Sequence, residues 1–498
     1  MGNWQVTGLD PNYNRDVELI LQLFMQSKVV TKSDDIEGRL EFQLSYEGST
    51  IQVNVRVLGQ TQPLQGTGIY THVLTSQLSE KEQRKQIKQA ISHALLQALE
   101  KLTSVQQPWG ILTGVRPTKL YHRLLLEGRT DAETRHHLTE KYRLVPEKTS
   151  LLQEIVARQR AALPDLYDLR REVSLYIGIP FCPTKCAYCT FPAYAIQGRN
   201  GSVEAFLEGL HQEVRVIGKW LTDHHCKVTT LYVGGGTPTS LESDQLDALF
   251  TTLTETIPDY DQIREVTVEA GRPDTLEAAK LDVLRKWKVD RISINPQSFR
   301  DETLRSIGRH HTVAETLDAY ERAREMGFDN INMDLIIGLP DEDLTIFEES
   351  LQVIERLRPE SLTVHTLSFK RGSTMTQKRG DYQVAERDEI AQMVKRAREW
   401  TAEQAYFPYY LYRQKNILGN QENVGYSIEG KESLYNIIIM EELQTIIGLG
   451  CGAVSKLVSP YHRKIDRYAN PKEPQAYIDT YQTHIQGKLA VLDQLFDL

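Results

Sequence analysis

Three of the five cysteines crowd into eight positions, Cys182, Cys186 and Cys189 in the segment YIGIPFCPTKCAYCTF, a C-x3-C-x2-C spacing. Thiolates at this density bind zinc or iron. A structural zinc takes four ligands in a closed tetrahedron. Only three are local here, and the next candidates along the chain are His211 and Cys226, so zinc would need a remote ligand. An iron–sulfur cube held by three cysteines leaves one iron open to a substrate or cosubstrate, and an open iron implies chemistry. A disulfide framework is the wrong reading of an odd, low cysteine count in 498 residues.

A second chemistry-bearing segment is Gly234-Gly235-Gly236-Thr237-Pro238-Thr239, a glycine-rich strand exit that lets backbone groups approach a ligand closely. Taken alone it is equally a tight strand-to-helix turn. Three further polar residues, Glu269, Gln297 and Asp334, fall near the C-terminal ends of strand-like runs, where a lone polar residue is more commonly a cap or turn former.

The elements that must position these residues form one pattern. From Ser174 the β-branched runs SLYIGIP, VTTLYVG, REVTVEA, DRISINP, NINMDLIIG and SLTVHTLS alternate with helical stretches such as VEAFLEGLHQEVRVIGKWL and VAETLDAYERAREMG. That alternation predicts parallel β/α units. Six units fall short of a closed barrel, so the fold class is α/β, a partial (β/α)6 barrel with its active site at the C-terminal strand ends. The cysteine loop directly follows the first of these strands.

Residues 1–110 read as an N-terminal α+β region: a helix-like DVELILQLF, the alternating runs RLEFQLSY and TIQVNVRVL joined near Glu47 and Gly48, and a long helix from Ser79 to Leu102. Ile87, Ile91, Leu95 and Leu99 put one apolar stripe on that helix, which is expected to pack on the hairpin. Residues 111–172 read as a helical connector, 173–375 as the partial barrel and 376–498 as a mixed, substrate-associated C-terminal region. In the last of these, IIGLGCGAVS reads as a glycine turn, with no βαβ context for a dinucleotide fingerprint. Cys226 and Cys451 read as buried small hydrophobes.

Fifty-eight Lys and Arg against 67 Asp and Glu give a net charge of -9, which argues against a protein held to nucleic acid by bulk phosphate attraction. No apolar run approaches the ~20 residues of a membrane helix, and the N-terminus lacks a signal-peptide pattern, so a cytosolic protein with no membrane partner is expected. Hydrophobic residues at 40% and charged ones at 25% match an ordinary soluble globular protein, so disorder is not the expectation.

The cysteine motif after the first strand of a partial barrel resembles the radical S-adenosylmethionine (SAM) superfamily. From about Ser174 to Ser455 the chain resembles the oxygen-independent coproporphyrinogen III oxidases, and within them the longer HemZ-type proteins with an extra N-terminal region. The resemblance implies a 4Fe-4S cluster on Cys182, Cys186 and Cys189, with the SAM amino and carboxylate groups on the fourth iron. It implies SAM contacts from Tyr176, Gly235, Gly236, Thr237, Glu269, Gln297, Arg309 and Asp334, with Tyr188 shielding or stacking on the cosubstrate. Those residue types suit the roles, since carboxylates accept from hydroxyls or an ammonium and Arg309 can bind a carboxylate.

The function so implied is oxidative decarboxylation of coproporphyrinogen III to protoporphyrinogen IX in heme biosynthesis, with a reduced flavodoxin- or ferredoxin-like electron donor. Cations for the tetrapyrrole propionates would come from Val364-His365-Thr366-Leu367-Ser368-Phe369-Lys370-Arg371 and from Tyr409, Tyr410, Tyr412, Arg413 and Lys415 in YYLYRQK. Two positions depart from the family pattern: Cys189 is followed by Thr190 and Phe191 instead of completing C-x-C, and Gly178 stands where a His is common. Both bear on the substrate and spare the cluster ligands. The alternatives are a heme-binding chaperone, with His310, His311 or His365 as an axial ligand, and another radical SAM enzyme acting on tetrapyrroles. The sequence sets no oligomeric state.

Overall fold

The computed structural model describes residues 2–25, 27–30, 35–59, 65–74, 79–114, 116–191, 193–196, 201–370, 372–459 and 465–496. The chain divides into two units, Met1–Pro117 with Arg123–Gln153 and Thr118–His122 with Glu154–Leu498.

In the first unit, strict alternation builds a sheet with one apolar face. Its strands are β1 (Gly2–Thr7), β2 (Ser27–Val30), β3 (Gly38–Glu47), β4 (Thr50–Gly59) and β5 (Gln65–Val73), in the order β2-β1-β3-β4-β5. The predicted hairpin is β3–β4, paired in register from Gly38↔Gly59 to Glu47↔Thr50. Leu40, Phe42, Ile51, Val53, Val55 and Val57 are buried on one face, as the period of two requires. The helix Glu80–Thr103 starts at a capping box of Ser79 and Glu82 and packs its Ile91, Leu95 and Leu99 into the same core, with Ile87 at its margin. Gly68 in β5 has no room for a side chain, because a Cβ there would sit 1.9 Å from the Ala94 carbonyl oxygen. The third antiparallel strand was therefore hidden in a run whose glycines exist to admit a helix.

In the second unit the six predicted strands are β6 (Val173–Ile179), β9 (Val228–Gly235), β10 (Glu265–Val268), β11 (Arg291–Ser293), β12 (Ile331–Ile337) and β13 (Ser361–Thr366), adjacent and parallel in that order. Between β6 and β9 lie two short paired strands, β7 (Phe181–Cys182) and β8 (Tyr194–Ala195). The C-terminal region widens the sheet at both edges with β14 (Phe407–Tyr412), β15 (Asn423–Ser427), β16 (Thr445–Gly450), β17 (Val454–Val458) and β18 (Ile465–Ala469). β15 and β14 continue beyond β13 as antiparallel strands, whereas β16 runs parallel to β6. Of the segment IIGLGCGAVS, expected to be a glycine turn, IIGLG is strand and the turn falls at Cys451 and Gly452. Its glycines serve close packing, since a Cβ on Gly450 would lie 2.4 Å from the Gly178 carbonyl oxygen.

The strands' two faces differ in chemistry. Leu175, Ile177, Leu231, Val233, Val266, Val268, Ile292, Met333, Leu335, Leu362 and Val364 are buried at alternate positions. The intervening positions are polar: Ser174 and Tyr176, Thr230 and Tyr232, Glu265 and Thr267, Arg291 and Ser293, Asn332 and Asp334, Thr363 and His365. At one end of this polar face Arg291, 1% exposed, donates to Asn332 Oδ1 at 3.2 Å and Ser361 Oγ at 2.5 Å. Glu265 caps the helix Leu434–Glu441, accepting from the Ser433 hydroxyl and from the Leu434 and Tyr435 amides at 3.0, 2.7 and 3.1 Å. Among the described residues no helix is long and apolar enough to cross a membrane.

Candidate functional site

The cysteine loop leaves β6 at its C-terminal end and is tied down at several points. Tyr194 N donates to the Pro180 carbonyl at 2.8 Å and Ile196 N to the Cys182 carbonyl at 3.2 Å, which closes the loop at β7–β8. Ala187 N donates to the Ile307 carbonyl at 2.9 Å and Thr184 Oγ1 to the Gly308 carbonyl at 3.2 Å. Arg272, locked by Asp274 at 2.8 and 2.7 Å, also reaches Thr184 Oγ1 at 3.0 Å. The loop is thus braced by segments that follow β10 and β11.

Cys182, Cys186 and Cys189 are free thiols, each half-buried. Burial pushes the Cys182 thiol up to about 11; the Thr237 hydroxyl, 3.2 Å from its sulfur, opposes the rise, and Cys189 and Cys186 add to it. Burial also raises the Cys189 thiol, with Cys186 adding to the rise. His211 and Cys226 are engaged elsewhere, with the Thr252 hydroxyl at 2.8 Å and the Arg171 carbonyl at 3.6 Å.

The glycine turn is pinned against this loop: Gly236 N donates to the Ile179 carbonyl and Thr237 N to the Phe181 carbonyl, both at 2.7 Å. Gly235 has φ 116°, open to glycine and strained for other residues. A Cβ on Gly236 would meet Phe181 O at 2.5 Å and Cys182 Sγ at 3.0 Å, so glycine here is a requirement of the cysteine loop itself. Gly178 is equally constrained, with a Cβ falling 2.8 Å from the Cys451 carbonyl oxygen. The family histidine is excluded at this position because β16 and its exit pack where its side chain would begin.

Tyr176 pairs in register with Tyr232, and both rings stack with Tyr435, at centroid distances of 6.1, 6.4 and 4.4 Å. Glu269 accepts from Gly235 N at 3.4 Å. Burial and the neighbouring Asp334 charge raise its carboxyl to about 7, with the Gly235 amide opposing. For Asp334 burial also acts upward, but His365, Asn332 and Thr363 hold it below the usual carboxylate range. Two carboxyls within electrostatic reach are thereby pushed apart in acidity, the arrangement that assigns different protonation states to a pair of acids.

Gln297 has φ 68° and bridges to Leu335: its amide donates to the Asp334 carbonyl at 2.9 Å and its carbonyl accepts from Ile336 N at 3.0 Å. Arg309 is in the loop after the short helix Asp301–Ser306, away from any strand end, and it reaches back to the cysteine loop. Its guanidinium donates to the Tyr188 hydroxyl at 3.2 Å and the Gly271 carbonyl at 2.6 Å. Asn295 Oδ1, Gln297 Oε1 and Arg309 Nε are buried without a partner in the protein, and Asn295 had no part in the sequence reading. Orphaned buried acceptors, an unused guanidinium N–H, free thiols against a glycine turn and a pair of carboxyls are the donor set that a cluster bearing an amino-acid cosubstrate needs. Thr267 also went unassigned from sequence, and His365, read there as a propionate contact or an axial heme ligand, instead faces Asp334 at 3.4 Å; the polar alternation of β10 to β13 is the signal that groups them.

The residues expected to bind propionates are dispersed. Tyr409 and Tyr410 are core residues, packed with Leu163, Leu166, Leu169 and Ile446. Arg413 is buried, donates to Asn420 and is lowered by burial to about 10. Lys415 is exposed, Lys370 half-buried, and Arg371 lies outside the described residues. His310 is exposed, and His311 is buried 3.9 Å from Asp274.

A parallel half-barrel with a three-cysteine loop over the C-terminal end of its first strand is the architecture of radical SAM proteins, and residues 176–354 match the Radical SAM superfamily. The oxygen-independent coproporphyrinogen-III oxidase-like protein HemZ of Bacillus subtilis is 52% identical over 491 residues, covering 98% of this chain and 97% of that protein. The chain belongs to this HemZ-type family of radical SAM proteins. The heme chaperone HemW of the same organism is 39% identical over 195 residues, 39% of this chain and 50% of that protein. Among solved structures, coproporphyrinogen III oxidase (HemN) from Escherichia coli, described as a radical SAM enzyme, shares the fold with a TM-score of 0.52. Its identity is 21%, with 66% of this chain and 72% of that chain covered.

Proposed function

We propose that the protein is a SAM-dependent oxidoreductase that converts coproporphyrinogen III to protoporphyrinogen IX in heme biosynthesis. Each of two propionates loses a β-hydrogen and carbon dioxide to become a vinyl group, and one electron per propionate passes to an acceptor. The observation that carries this reading is the bracing of the cysteine loop, by Thr237 at Cys182 and by Arg309 at Tyr188, at the mouth of a polar half-barrel. Near full-length similarity to an oxidase-like relative supports the substrate class.

In this reading Cys182, Cys186 and Cys189 hold a 4Fe-4S cluster. Tyr176, Tyr188, Gly235, Gly236, Thr237, Glu269, Gln297, Arg309 and Asp334 would hold SAM. When bound, cluster and cosubstrate together supply the radical that abstracts hydrogen from a substrate carbon. Arg309, with Nε unused, binds a carboxylate; Glu269 and Asp334 accept from an ammonium or hydroxyls. The stacked Tyr176, Tyr232 and Tyr435 fill part of the interior with apolar surface and restrict water there. Reduction would come from a flavodoxin- or ferredoxin-like protein.

A heme chaperone is the second reading, favoured by the HemW relative and by Thr190, which follows Cys189 where C-x-C would need Phe191 to be cysteine. Anaerobic incubation of reconstituted, reduced protein with SAM and coproporphyrinogen III, followed by mass spectrometry, separates the two. Protoporphyrinogen formed together with deoxyadenosine supports the oxidase. Deoxyadenosine without tetrapyrrole conversion removes the substrate assignment and directs the work to heme binding.

A further inference from the structure

The polar face carries a three-residue chain that the family comparison does not assign. Asp334 lies in β12, His365 in β13 and Tyr412 at the end of β14, in three different strands. The Tyr412 hydroxyl is 3.1 Å from His365 Nδ1, and His365 Nε2 is 3.4 Å from Asp334 Oδ2. The other Asp334 oxygen, Oδ1, accepts from Asn332 Nδ2 at 2.8 Å. Asn332 Oδ1 is fixed in turn by Arg291 at 3.2 Å and by Thr363 Oγ1 at 3.2 Å.

The tautomer follows from the neighbours. Burial, and then the Asp334 charge, raise the Tyr412 phenol well above its ordinary value, so it keeps its proton and can donate to Nδ1. With Nδ1 facing the phenol, Nε2 is the ring nitrogen that faces Asp334 as a donor. Asn423 stabilises the backbone here: its side chain donates to the Tyr412 carbonyl at 3.1 Å and accepts from Thr366 N at 2.9 Å. The titratable groups that face the imidazole are Asp334 and Tyr412, and those that sense the Asp334 charge are Glu269 after β10, Tyr232 from β9, and Tyr410 and Tyr412 from β14. Arg291 is the cation linked to them through Asn332.

We propose that His365, set by Tyr412, is a positioning residue that holds Asp334 ionised and oriented as an acceptor for the cosubstrate, an inference that rests on the SAM reading of this site. Its role is indirect: His365 acts through Asp334, and Tyr412 acts through His365. Because Asp334 stays ionised, Glu269 is the carboxyl that exchanges a proton near neutral pH.

Equilibrium binding of SAM to the full-length, cluster-reconstituted protein under anaerobic conditions tests this, with wild type, His365→Phe, His365→Gln, Asp334→Asn and the double variant His365→Phe/Asp334→Asn. Phe keeps the ring volume without a donor, whereas Gln keeps an N–H near the Nε2 position. The expected result is SAM affinity about tenfold weaker in His365→Phe, within about threefold of wild type in His365→Gln, and unchanged by His365→Phe once Asp334 is Asn. Across pH 5 to 8, His365→Phe also loses affinity at higher pH than wild type, since Asp334 protonates more easily without the imidazole. Wild-type affinity in His365→Phe, equal losses in Phe and Gln, or a loss in the double variant equal to the sum of the singles each overturns the proposal. Failure of wild type itself to bind SAM overturns the underlying reading instead.

Discussion

Lys488→Met removes the cation from a carboxylate that is wholly enclosed. Glu213 and Lys488 are both 0% exposed, 2.5 Å apart, and join the helix Val203–Asp223 to the C-terminal helix Pro474–Phe496. Glu213 also accepts from Gly450 N at 2.8 Å, Asn470 Nδ2 at 2.9 Å and Tyr477 Oη at 2.7 Å, and Lys488 donates to the Gly448 carbonyl. The C-terminal helix thereby clamps β16 next to β6, the strand that delivers the cysteine loop. Removing one partner of a buried pair strands the other charge and costs about 3–5 kcal/mol. Three neutral donors remain on Glu213 in this variant, which places the expected loss at about 3 kcal/mol. In Glu213→Gln/Lys488→Met no charge is left, and the amide nitrogen opposes one donor, a cost of about 1–2 kcal/mol. The pair should therefore show strong coupling in a double-mutant cycle, read by urea unfolding with tryptophan fluorescence and circular dichroism. A single variant within about 1 kcal/mol of wild type, or a double variant that loses the sum of both singles, would refute the reasoning.

Three further outcomes are expected. Gly236→Ala, with its Cβ 2.5 Å from Phe181 O and 3.0 Å from Cys182 Sγ, should cost about 1–3 kcal/mol in the loop conformation that accepts iron. That is about 5- to 150-fold faster loss of iron to a chelator, against no change for Gly380→Ala, which meets no atom within 4 Å. Glu269→Gln should stabilise the fold at high pH: a carboxyl raised from 4.5 to about 7 binds more protons folded than unfolded, so wild type loses stability as pH rises through that window. The difference approaches about 3 kcal/mol above pH 7 and vanishes below pH 4.5, in melting curves collected across pH. Gly178→Ala should lower stability by about 1–3 kcal/mol, because the new methyl group meets the Cys451 carbonyl at 2.8 Å; a melting temperature equal to wild type would count against the packing argument.

Much of the catalytic unit could be read directly, because its signals are local. β6, β9, β10, β11, β12 and β13 are short β-branched runs between amphipathic helices, and each lies where the alternation predicts it. The cysteine spacing needs only eight consecutive residues, and the glycine exit of β9 is marked by its composition. The hairpin of β3 and β4 and the helix on it follow from periods of two and 3.6 that no neighbour has to supply.

Tertiary structure decided what depends on two distant segments meeting. β5 and β16 were missed because Gly68 and Gly450 exist to admit Ala94 and Gly178, and glycine in isolation reads as a turn. Arg309 reaches Tyr188 from a loop 121 residues further along the chain, which no strand-end rule anticipates. Asp334, His365 and Tyr412 become a chain only when β12, β13 and β14 take their places in one sheet, and Glu213 finds Lys488 across 275 residues. Periodicity and spacing are properties of the chain, so they determined the barrel and the cysteine loop. Partner choice, acidity and exclusion of a side chain are properties of proximity, and only the folded chain supplies them.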